Sequence, residues 1–511
     1  MSKDLTLYIH KTFFVINFHN DKVKDVILPT LRNFKSYRYV YNKFIRRLVR
    51  EENKQYFAFN PFESTYRFTI GVLKDILLTL GSEGYSRENI EIVRVLNRNV
   101  KKLDLKFNYD KFTLRDYQQT YSDILFNQRD NKSIMLVDLQ TGAGKSLIAS
   151  HALVRINEVA LIVVLPRYVE KWVDDMYKYT NINSKDLCLI KGANSIKKLM
   201  DTPRKDLKYK VYIASIATMR NLISDYEYRT ADRPYEYRLK PYEFMDHLGV
   251  GVLLNDETHQ HFHALLKISL YMNVNQIIGL SATLDSNDNE MKRLYTYMFP
   301  KDNRISNIAN INSYVYVKAI EYRLYNPKKV RYILQGYNHN LFEQSIVRNS
   351  VILSDYFEMI HHYFKESYIH RKQDGERILI YMASVVMCTL FVNYLKNRHP
   401  DLDIRRYCED DPYENVINAE VSVSTIISAS TAIDIPKLIT VINTISMASL
   451  QANLQTLGRL RKIEGRETWY YYLFASNISN QKQMHKIRRD TIKDRVKVMV
   501  YDSYPKTIRT N

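Results

Sequence analysis

Apolar residues in the first part of the chain fall into short runs separated by segments of helix length. Nearly continuous apolar runs bounded by polar or turn-forming residues are typical of parallel strands that are covered on both faces. They predict an α/β domain with a parallel sheet between about residues 110 and 300. The predicted strands are SIMLVDL, ALIVVLP, KVYIASI, GVLLND and QIIGLSAT.

A later set of apolar runs predicts a second parallel-sheet domain. Its strands are RILIYMAS, VSVSTIIS, LITVINT and TWYYYLFA. The N-terminal residues instead alternate strand-like and helix-like patterns, as in a small α+β module. The predicted organisation is a small α+β module at 1–108, a first lobe at 109–305, a linker at 306–345, a second lobe at 346–478 and a short basic helical tail at 479–511.

The chain is strongly basic. Its 511 residues carry 75 Lys and Arg against 55 Asp and Glu, a formal net charge of +20. This charge attracts polyanions, so nucleic acid is the expected partner and an anionic membrane surface is the alternative. No stretch reaches the roughly 18 apolar residues of a membrane helix, and the three cysteines show no CxxC spacing. We therefore expect a cytoplasmic protein without a disulfide framework or a zinc module.

The segment LVDLQTGAGKS combines an apolar strand, a glycine-containing loop and the start of a helix. A bound phosphate chain needs inward-pointing backbone N–H groups, a Lys side chain for the β- and γ-phosphates and a hydroxyl group for Mg²⁺. Lys145 and Ser146 supply the last two, although Leu139 stands where the general pattern has Gly. The predicted ATP-binding residues of this loop are Thr141, Gly142, Ala143, Gly144, Lys145 and Ser146.

The segment GVLLNDETHQ places two adjacent carboxylates at the end of another apolar strand. Asp256 is expected to hold Mg²⁺ together with Ser146, and Glu257 to orient and deprotonate an attacking water molecule. Taken alone, such a pair is more often a solvated turn. Its position about a hundred residues after a phosphate loop, with Thr258 and His259 next, favours a hydrolytic site.

The order of these motifs resembles that of the superfamily 2 DExH helicases, from about residue 112 to 475. The resemblance implies two RecA-like lobes with ATP and Mg²⁺ bound in the cleft between them. In the first lobe it implies that Gln118 contacts adenine and that His259 senses the γ-phosphate. Segments VLPRYVEKW and IASIATM resemble motifs that contact nucleic acid, and the SAT segment resembles the motif that couples hydrolysis to strand movement. The residues concerned are Pro166, Arg167, Thr218, Ser281 and Thr283.

The second lobe resembles the same family in three segments. RILIYMAS matches the strand of motif IV. VSVSTIISASTAIDIP resembles motif V, which implies that Thr425 meets the sugar-phosphate backbone and that Asp434 helps to link the lobes. Ala432 replaces the usual glycine there.

LQTLGRLRK resembles motif VI, QxxGRxxR, whose Arg side chains reach the γ-phosphate. Gln455 and Arg459 match this pattern, but its second Arg falls on Lys462, with Arg461 one residue earlier. Arg459 is the expected arginine finger, and either Arg461 or Lys462 supplies the second charge.

Within the superfamily, the chain resembles UvsW-type phage helicases more than poxvirus transcript-release or XPB-like helicases. The features concerned are the small α+β module, the compact two-lobe body and the motif VI region followed by a short basic tail. The resemblance implies ATP-driven unwinding or branch migration of forked or recombining DNA, as in recombination, repair and replication. An RNA helicase or transcript-release ATPase is one alternative, and a non-hydrolysing nucleic-acid scaffold is another.

Two further basic segments allow either nucleic-acid contact or ordinary solvation. In the first, cations alternate with aromatic residues on a predicted strand between Arg32 and Arg50. In the second, cations lie on a predicted helix in the tail. They are Lys482, Lys486, Arg488, Arg489, Lys493, Arg495 and Lys497.

Overall fold

The structure is a computed structural model of the chain. It describes residues 3–31, 35–42, 47–60, 63–86, 88–95, 103–139, 142–230, 232–282, 284, 289–306, 314–333, 336–408, 410–429 and 433–510.

The N-terminal module contains a five-stranded mixed sheet in the order β5-β6-β2-β1-β7, and a separate antiparallel pair, β3 with β4. Leu5 and Leu7, which lie on one face of this sheet, are completely buried. Its elements are β1 (Leu5–Ile9), β2 (Phe13–Phe18), α1 (Asp21–Leu31), β3 (Lys35–Asn42), β4 (Arg47–Gln55), β5 (Ala58–Asn60), β6 (Thr65–Thr69), α2 (Leu73–Ser82) and β7 (Ile90–Arg94).

The first lobe is built on a seven-stranded sheet in the order β10-β11-β9-β12-β13-β8-β14, with every described pairing parallel. Its elements are α3 (Asp116–Asn127), β8 (Ile134–Asp138), α4 (Lys145–Ile156), β9 (Ala160–Val164), α5 (Val169–Tyr179), β10 (Leu187–Ile190), α6 (Gly192–Asp201), β11 (Val211–Ser215), α7 (Ile216–Glu227), α8 (Pro241–Leu248), β12 (Val252–Asn255), α9 (Phe262–Leu270), β13 (Gln276–Ser281), α10 (Asn289–Met298) and β14 (Arg304–Ile305).

The second lobe repeats this architecture with the parallel order β17-β18-β16-β19-β20-β15-β21. Its elements are β15 (Val315–Leu324), α11 (His339–Val347), α12 (Ser350–Phe364), β16 (Arg377–Met382), α13 (Val385–Arg398), β17 (Ile404–Tyr407), α14 (Glu414–Ile417), β18 (Val421–Thr425), α15 (Ile426–Ala429), β19 (Leu438–Asn443), α16 (Leu450–Leu457), β20 (Thr468–Ala475), α17 (Ser479–Ile492) and β21 (Val498–Ile508).

Both sheets confirm the predicted α/β class. The central strands are apolar and buried along their whole length, as in β9 and β19, because helices cover both faces of each sheet. The chain divides into two compact units: residues 1–139 with 143–309, and residues 140–142 with 310–511.

The N-terminal module belongs to the same unit as the first lobe, and polar and aromatic contacts join them. The Arg67 guanidinium lies over the rings of Tyr242 and Tyr271, at 4.6 and 5.6 Å from their centroids. Lys240 forms a 2.7 Å ion pair with Glu63. These contacts anchor the module's sheet to the first lobe.

Two strands of the second sheet lie where the sequence pattern predicted other structure. β15 falls inside the range predicted as a linker, and its side chains alternate between buried and partly exposed positions. β21 falls inside the tail predicted as helical, since helix α17 ends at Ile492. β21 is an edge strand whose residues are mostly exposed, so it lacks the apolar run that marks the central strands.

The described part of the chain contains no helix that is both long enough and apolar enough to span a membrane.

Candidate nucleotide and nucleic-acid site

The phosphate loop joins the end of β8 to the start of α4. Gly142 and Gly144 have φ angles of +86° and +90°, in a backbone region that residues with a Cβ atom rarely adopt. Gly144 is the N-cap of α4, so Lys145 and Ser146 occupy the first turn of that helix. A helix N-terminus with free N–H groups is a favourable position for phosphate oxygens.

The side chains of Gln118 and Tyr117 are both hydrogen-bonded to this loop. The Gln118 side chain accepts a hydrogen bond from the Arg115 N–H at 3.0 Å and donates to the Ala143 carbonyl at 3.1 Å. The Tyr117 hydroxyl donates to the same carbonyl at 2.9 Å. The structure thus places Gln118, the predicted adenine contact, directly against the predicted phosphate loop.

The acidic pair lies at the carboxyl end of β12, at the same edge of the sheet as the phosphate loop. Asp256 is 7% exposed, and both of its carboxylate oxygens accept hydrogen bonds. The Glu257 N–H donates to Oδ1 and the Trp172 indole N–H donates to Oδ2, each at 2.8 Å. Burial, followed by the Glu257 charge, raises the pKa of Asp256.

Glu257 turns toward Lys145. Its φ angle is +46°, unusual for a residue with a side chain. Its carboxylate lies 4.0 Å from Lys145 Nζ, which also donates to the Leu139 carbonyl at 3.3 Å. The predicted water-orienting base and the predicted phosphate-binding cation therefore belong to one cluster.

The acidic segment is also joined to the end of β13, where the SAT segment lies. His259 Nδ1 and the Ser281 hydroxyl are hydrogen-bonded at 2.9 Å, and the Thr258 N–H donates to the Leu280 carbonyl at 2.8 Å. Burial lowers the pKa of His259. A neutral imidazole with a fixed ring orientation is therefore expected there.

The predicted nucleic-acid contacts of the first lobe lie after neighbouring strands. Pro166 and Arg167 follow β9 and are exposed, and Thr218 lies in the first turn of α7 after β11. β9 and β11 are paired in parallel, with Val164 opposite Ser215, so these turns lie side by side. The Thr218 N–H donates to the Ser215 hydroxyl at 3.1 Å.

The predicted functional residues of the second lobe have contacts within that lobe. Arg459 is 2% exposed and donates to the Ile433 carbonyl at 2.5 Å and to the Gln455 carbonyl at 3.4 Å. Arg461 lies 3.4 Å from the Asp434 carboxylate.

Of the two candidates for the second positive charge, Lys462 is exposed and Arg461 is partly buried. The hydroxyl groups of Thr425, at the end of β18, and Ser428 are 2.9 Å apart. The roles of Gln455, Arg459, Arg461, Thr425 and Asp434 stay predictions.

Thr141 and Thr283 lie outside the described residues.

The side-chain oxygen atoms of Ser146 and Asp256 are suitable ligands for a magnesium ion. A carboxylate and a hydroxyl group are the oxygen ligands that Mg²⁺ prefers, and both lie at the carboxyl edge of the sheet. The Lys171 ammonium group donates to Ser146 Oγ at 3.2 Å, so a cationic group already lies against this hydroxyl. Ser146 and Asp256 would hold the ion in the nucleotide-bound protein.

Sequence inspection missed the side chains that support this site. Trp172 and Lys171 lie in the segment that resembles a strand-contacting motif, yet their contacts are with Asp256 and Ser146. Tyr117 lies beside Gln118 and was also missed. The one available signal was that Trp is rare here, with two in the whole chain.

Comparison with known proteins finds similarity over part of the chain. Residues 111–286 match the model of the type III restriction enzyme, res subunit. A curated relative, DNA 3'-5' helicase XPB of Kineococcus radiotolerans, is 25% identical over 233 residues, which is 45% of this chain and 36% of the relative. The chain therefore spans about a third of that relative's length.

Solved structures also align with the chain. A variant of S. cerevisiae Dbp5, bound to a Gle1 variant and IP6, is 13% identical with a TM-score of 0.48, over 80% of this chain and 96% of that one. T4 UvsW is 16% identical with a TM-score of 0.36, over 99% of this chain and 100% of that one. The residues matched by the family model, 111–286, include Lys145, Ser146, Asp256 and Glu257.

Proposed function

We propose that this protein is an ATP-driven helicase or translocase that unwinds or branch-migrates forked or recombining DNA. The observation that carries the proposal is the cluster at one sheet edge of the first lobe. Lys145 and Ser146 begin the helix that follows β8, Asp256 and Glu257 follow β12, and Lys145 lies 4.0 Å from Glu257. A phosphate-binding lysine beside paired carboxylates is the arrangement that phosphoanhydride hydrolysis requires.

Each side chain then has a defined role. The Lys145 ammonium group binds the β- and γ-phosphate oxygens, and the N–H groups of the α4 first turn point to the same phosphates. Glu257 orients a water molecule and accepts its proton. Ser146 and Asp256 would hold Mg²⁺, which would neutralise negative charge on the phosphates. Lys145 separates from Glu257 as it binds phosphate, which frees the carboxylate to accept that proton.

The strand-binding surface is proposed at the turns after β9 and β11. Arg167 is exposed and cationic, and Thr218 offers a hydroxyl and a helix N-terminus to a phosphate. The net charge of +20 supports a polyanionic partner. Both turns belong to the lobe that holds the nucleotide cluster, so strand binding and hydrolysis would share one sheet.

DNA is the proposed substrate because of the UvsW-type resemblance and because the curated relative carries the name of a DNA helicase. A panel of forked DNA, single-stranded DNA and RNA, with ATP turnover and strand displacement measured together, tests this choice. We expect the forked DNA to stimulate turnover most and to be unwound. Preferential stimulation by RNA would instead establish the RNA helicase or transcript-release alternative. Strand binding without any ATP turnover would establish the scaffold.

Replacing Lys145 with Ala tests the hydrolytic site. We expect Lys145→Ala to abolish ATP turnover, because the phosphates lose their cation, while most of the salt-sensitive nucleic-acid binding remains. Lys205→Ala is the matched control, since Lys205 is exposed in the turn that precedes β11, at the opposite end of the strand. Wild-type turnover in Lys145→Ala would refute the proposed site.

A further inference from the structure

Helix α5 touches both side chains that are expected to hold magnesium. The helix begins at Val169, directly after the turn that carries Pro166 and Arg167. In its first turn, Lys171 Nζ donates to Ser146 Oγ at 3.2 Å, and Trp172 Nε1 donates to Asp256 Oδ2 at 2.8 Å. Consecutive residues of one helix thus reach two segments that are more than a hundred residues apart in the chain.

The Trp172 side chain is held rigidly in this position. It is completely buried, with 0% exposure, and its indole N–H points at a carboxylate that is itself buried. Asp256 accepts its other hydrogen bond from the Glu257 N–H, so both oxygens are fixed by donors. A carboxylate fixed in this way keeps one orientation and retains lone pairs for a cation.

The turn before α5 is also joined to the acidic segment. Arg167 Nη2 donates to the Gln260 side-chain oxygen at 3.3 Å, and the Gln260 N–H donates to the Glu257 carbonyl at 2.7 Å. A phosphate that binds Arg167 competes for the guanidinium that now contacts Gln260. A strand bound at this turn therefore acts on the same short segment that carries Asp256.

We propose that Trp172 is a positioning residue for Asp256, and that helix α5 transmits strand binding at Pro166 and Arg167 to this carboxylate. The first part needs only the nucleotide site. The second part rests on the proposed strand-binding function. No step of the chemistry passes through the indole, which acts by holding the carboxylate in place.

Intrinsic fluorescence tests the proposal without ATP turnover. The chain has two tryptophans, and Trp469 stacks on Tyr316 with ring centroids 5.0 Å apart in the second lobe. Trp469→Phe retains an aromatic ring there and leaves Trp172 as the single tryptophan. We expect Trp172 emission to change when Mg²⁺ is added to the protein with a non-hydrolysable ATP analogue, and to change again with single-stranded DNA. Emission that does not respond to Mg²⁺ would overturn the positioning role.

The side-chain test compares Trp172→Phe with Met176→Leu. Both residues are buried on α5, but Met176 lies one turn further along and is not bonded to Asp256. Trp172→Phe should raise the Mg²⁺ concentration for half-maximal binding of the analogue about tenfold, the scale expected for loss of a group that orients a metal ligand. Analogue binding without Mg²⁺ should stay unchanged, and Met176→Leu should match the wild type throughout.

The outcomes separate the two parts and the proposed function. A wild-type Mg²⁺ dependence in folded Trp172→Phe overturns the positioning role. A shifted Mg²⁺ dependence with undiminished stimulation of ATP turnover by DNA overturns the coupling through α5. If no nucleic acid stimulates the wild type, the proposed function fails, whereas the positioning role stands on the Mg²⁺ shift. If Trp172→Phe does not fold, the Trp172 fluorescence response in Trp469→Phe decides.

Discussion

Arg488 places a guanidinium group inside the second lobe. The side chain is 2% exposed, and it donates to Asn453 Oδ1 at 2.5 Å and to the Ile445 carbonyl at 2.6 Å. The ring of Tyr472 lies against it, with its centroid 4.7 Å from the guanidinium carbon. The sequence pattern grouped Arg488 with a row of cations that allowed solvation or nucleic-acid contact. Because Arg488 is buried and hydrogen-bonded within the lobe, its role is structural.

Arg488→Ala should destabilise the second lobe by about 3 kcal/mol, because it leaves a buried carbonyl and a buried amide oxygen without their donor. Urea unfolding followed by Trp469 fluorescence measures the change. Lys486→Ala, an exposed change on the same helix, is the control and should stay within about 0.5 kcal/mol of the wild type. Equal effects of the two substitutions would contradict the structural role of Arg488.

Glu343 is a buried acid in helix α11, and its carboxylate lies at the start of helix α13. Its carboxylate accepts hydrogen bonds from the Ala383 N–H at 2.7 Å and from the Ser384 N–H and hydroxyl at 2.8 Å each. Burial nevertheless outweighs these donors and raises the pKa of Glu343 to about 7. Ser384 is the N-cap of α13, so the Glu343 carboxylate is hydrogen-bonded to the start of the helix that follows β16.

The raised pKa predicts a pH dependence of stability with a definite sign. The folded state binds the Glu343 proton more tightly than the unfolded state, whose pKa lies near 4.5. The free energy of unfolding should therefore fall as pH rises from about 4.5 to about 7 and then level off. Thermal unfolding of the wild type and Glu343→Gln across this range measures it. The stability advantage of the wild type should shrink with rising pH, and a constant difference would be inconsistent with the raised pKa.

Strand β21 closes one edge of the second sheet. It pairs in parallel with β15 from Tyr316 to Leu324, and its last residue, Ile508, is fully buried. Arg509, just beyond the strand, donates three hydrogen bonds to the Asp355 carboxylate: two from its guanidinium, at 2.9 and 2.6 Å, and one from its backbone N–H at 2.9 Å. This C-terminal segment is therefore part of the fold of the lobe, which a solvated basic tail would not be.

Deleting residues 498–511 should lower the unfolding temperature of the second lobe and promote aggregation, because it exposes the backbone edge of β15. Calorimetry and light scattering measure these effects. Lys506→Ala, an exposed change on the same strand, should leave both unchanged. A deletion variant as stable and soluble as the wild type would show that β21 is dispensable.

The whole chain carries a formal net charge of +20. Binding to nucleic acid should therefore weaken steeply with salt, because each neutralised phosphate releases counterions. Six to ten phosphate contacts correspond to a loss of about 10³- to 10⁵-fold between 50 and 200 mM salt. Fluorescence anisotropy with a labelled single strand measures the slope.

Single substitutions then test which cationic side chain contributes to this salt dependence. Arg167→Ala should reduce the slope of log affinity against log salt by about one, whereas Lys205→Ala should not change it. Affinity that is independent of salt would contradict an electrostatic nucleic-acid interface.

Local pattern was sufficient for the α/β class and for most of the residues of the proposed hydrolytic cluster. The buried runs of β8 and β12 and the glycines of the phosphate loop place Lys145 and Asp256 at strand ends, and the carboxyl ends of parallel strands meet at one edge. These features depend on residues close together in the chain, so the sequence alone predicts them.

Contacts between segments that are far apart in the chain could be identified only from the tertiary structure. Trp172 meets Asp256, and Gln118 meets Ala143, because particular strands and helices become neighbours. β15 and β21 were missed because their side chains are partly exposed, and in β21 this follows from its position at the sheet edge. Hydrophobic periodicity encodes which face of an element is buried. It does not encode which polar group a buried donor will meet, since that depends on the order of the strands in the sheet.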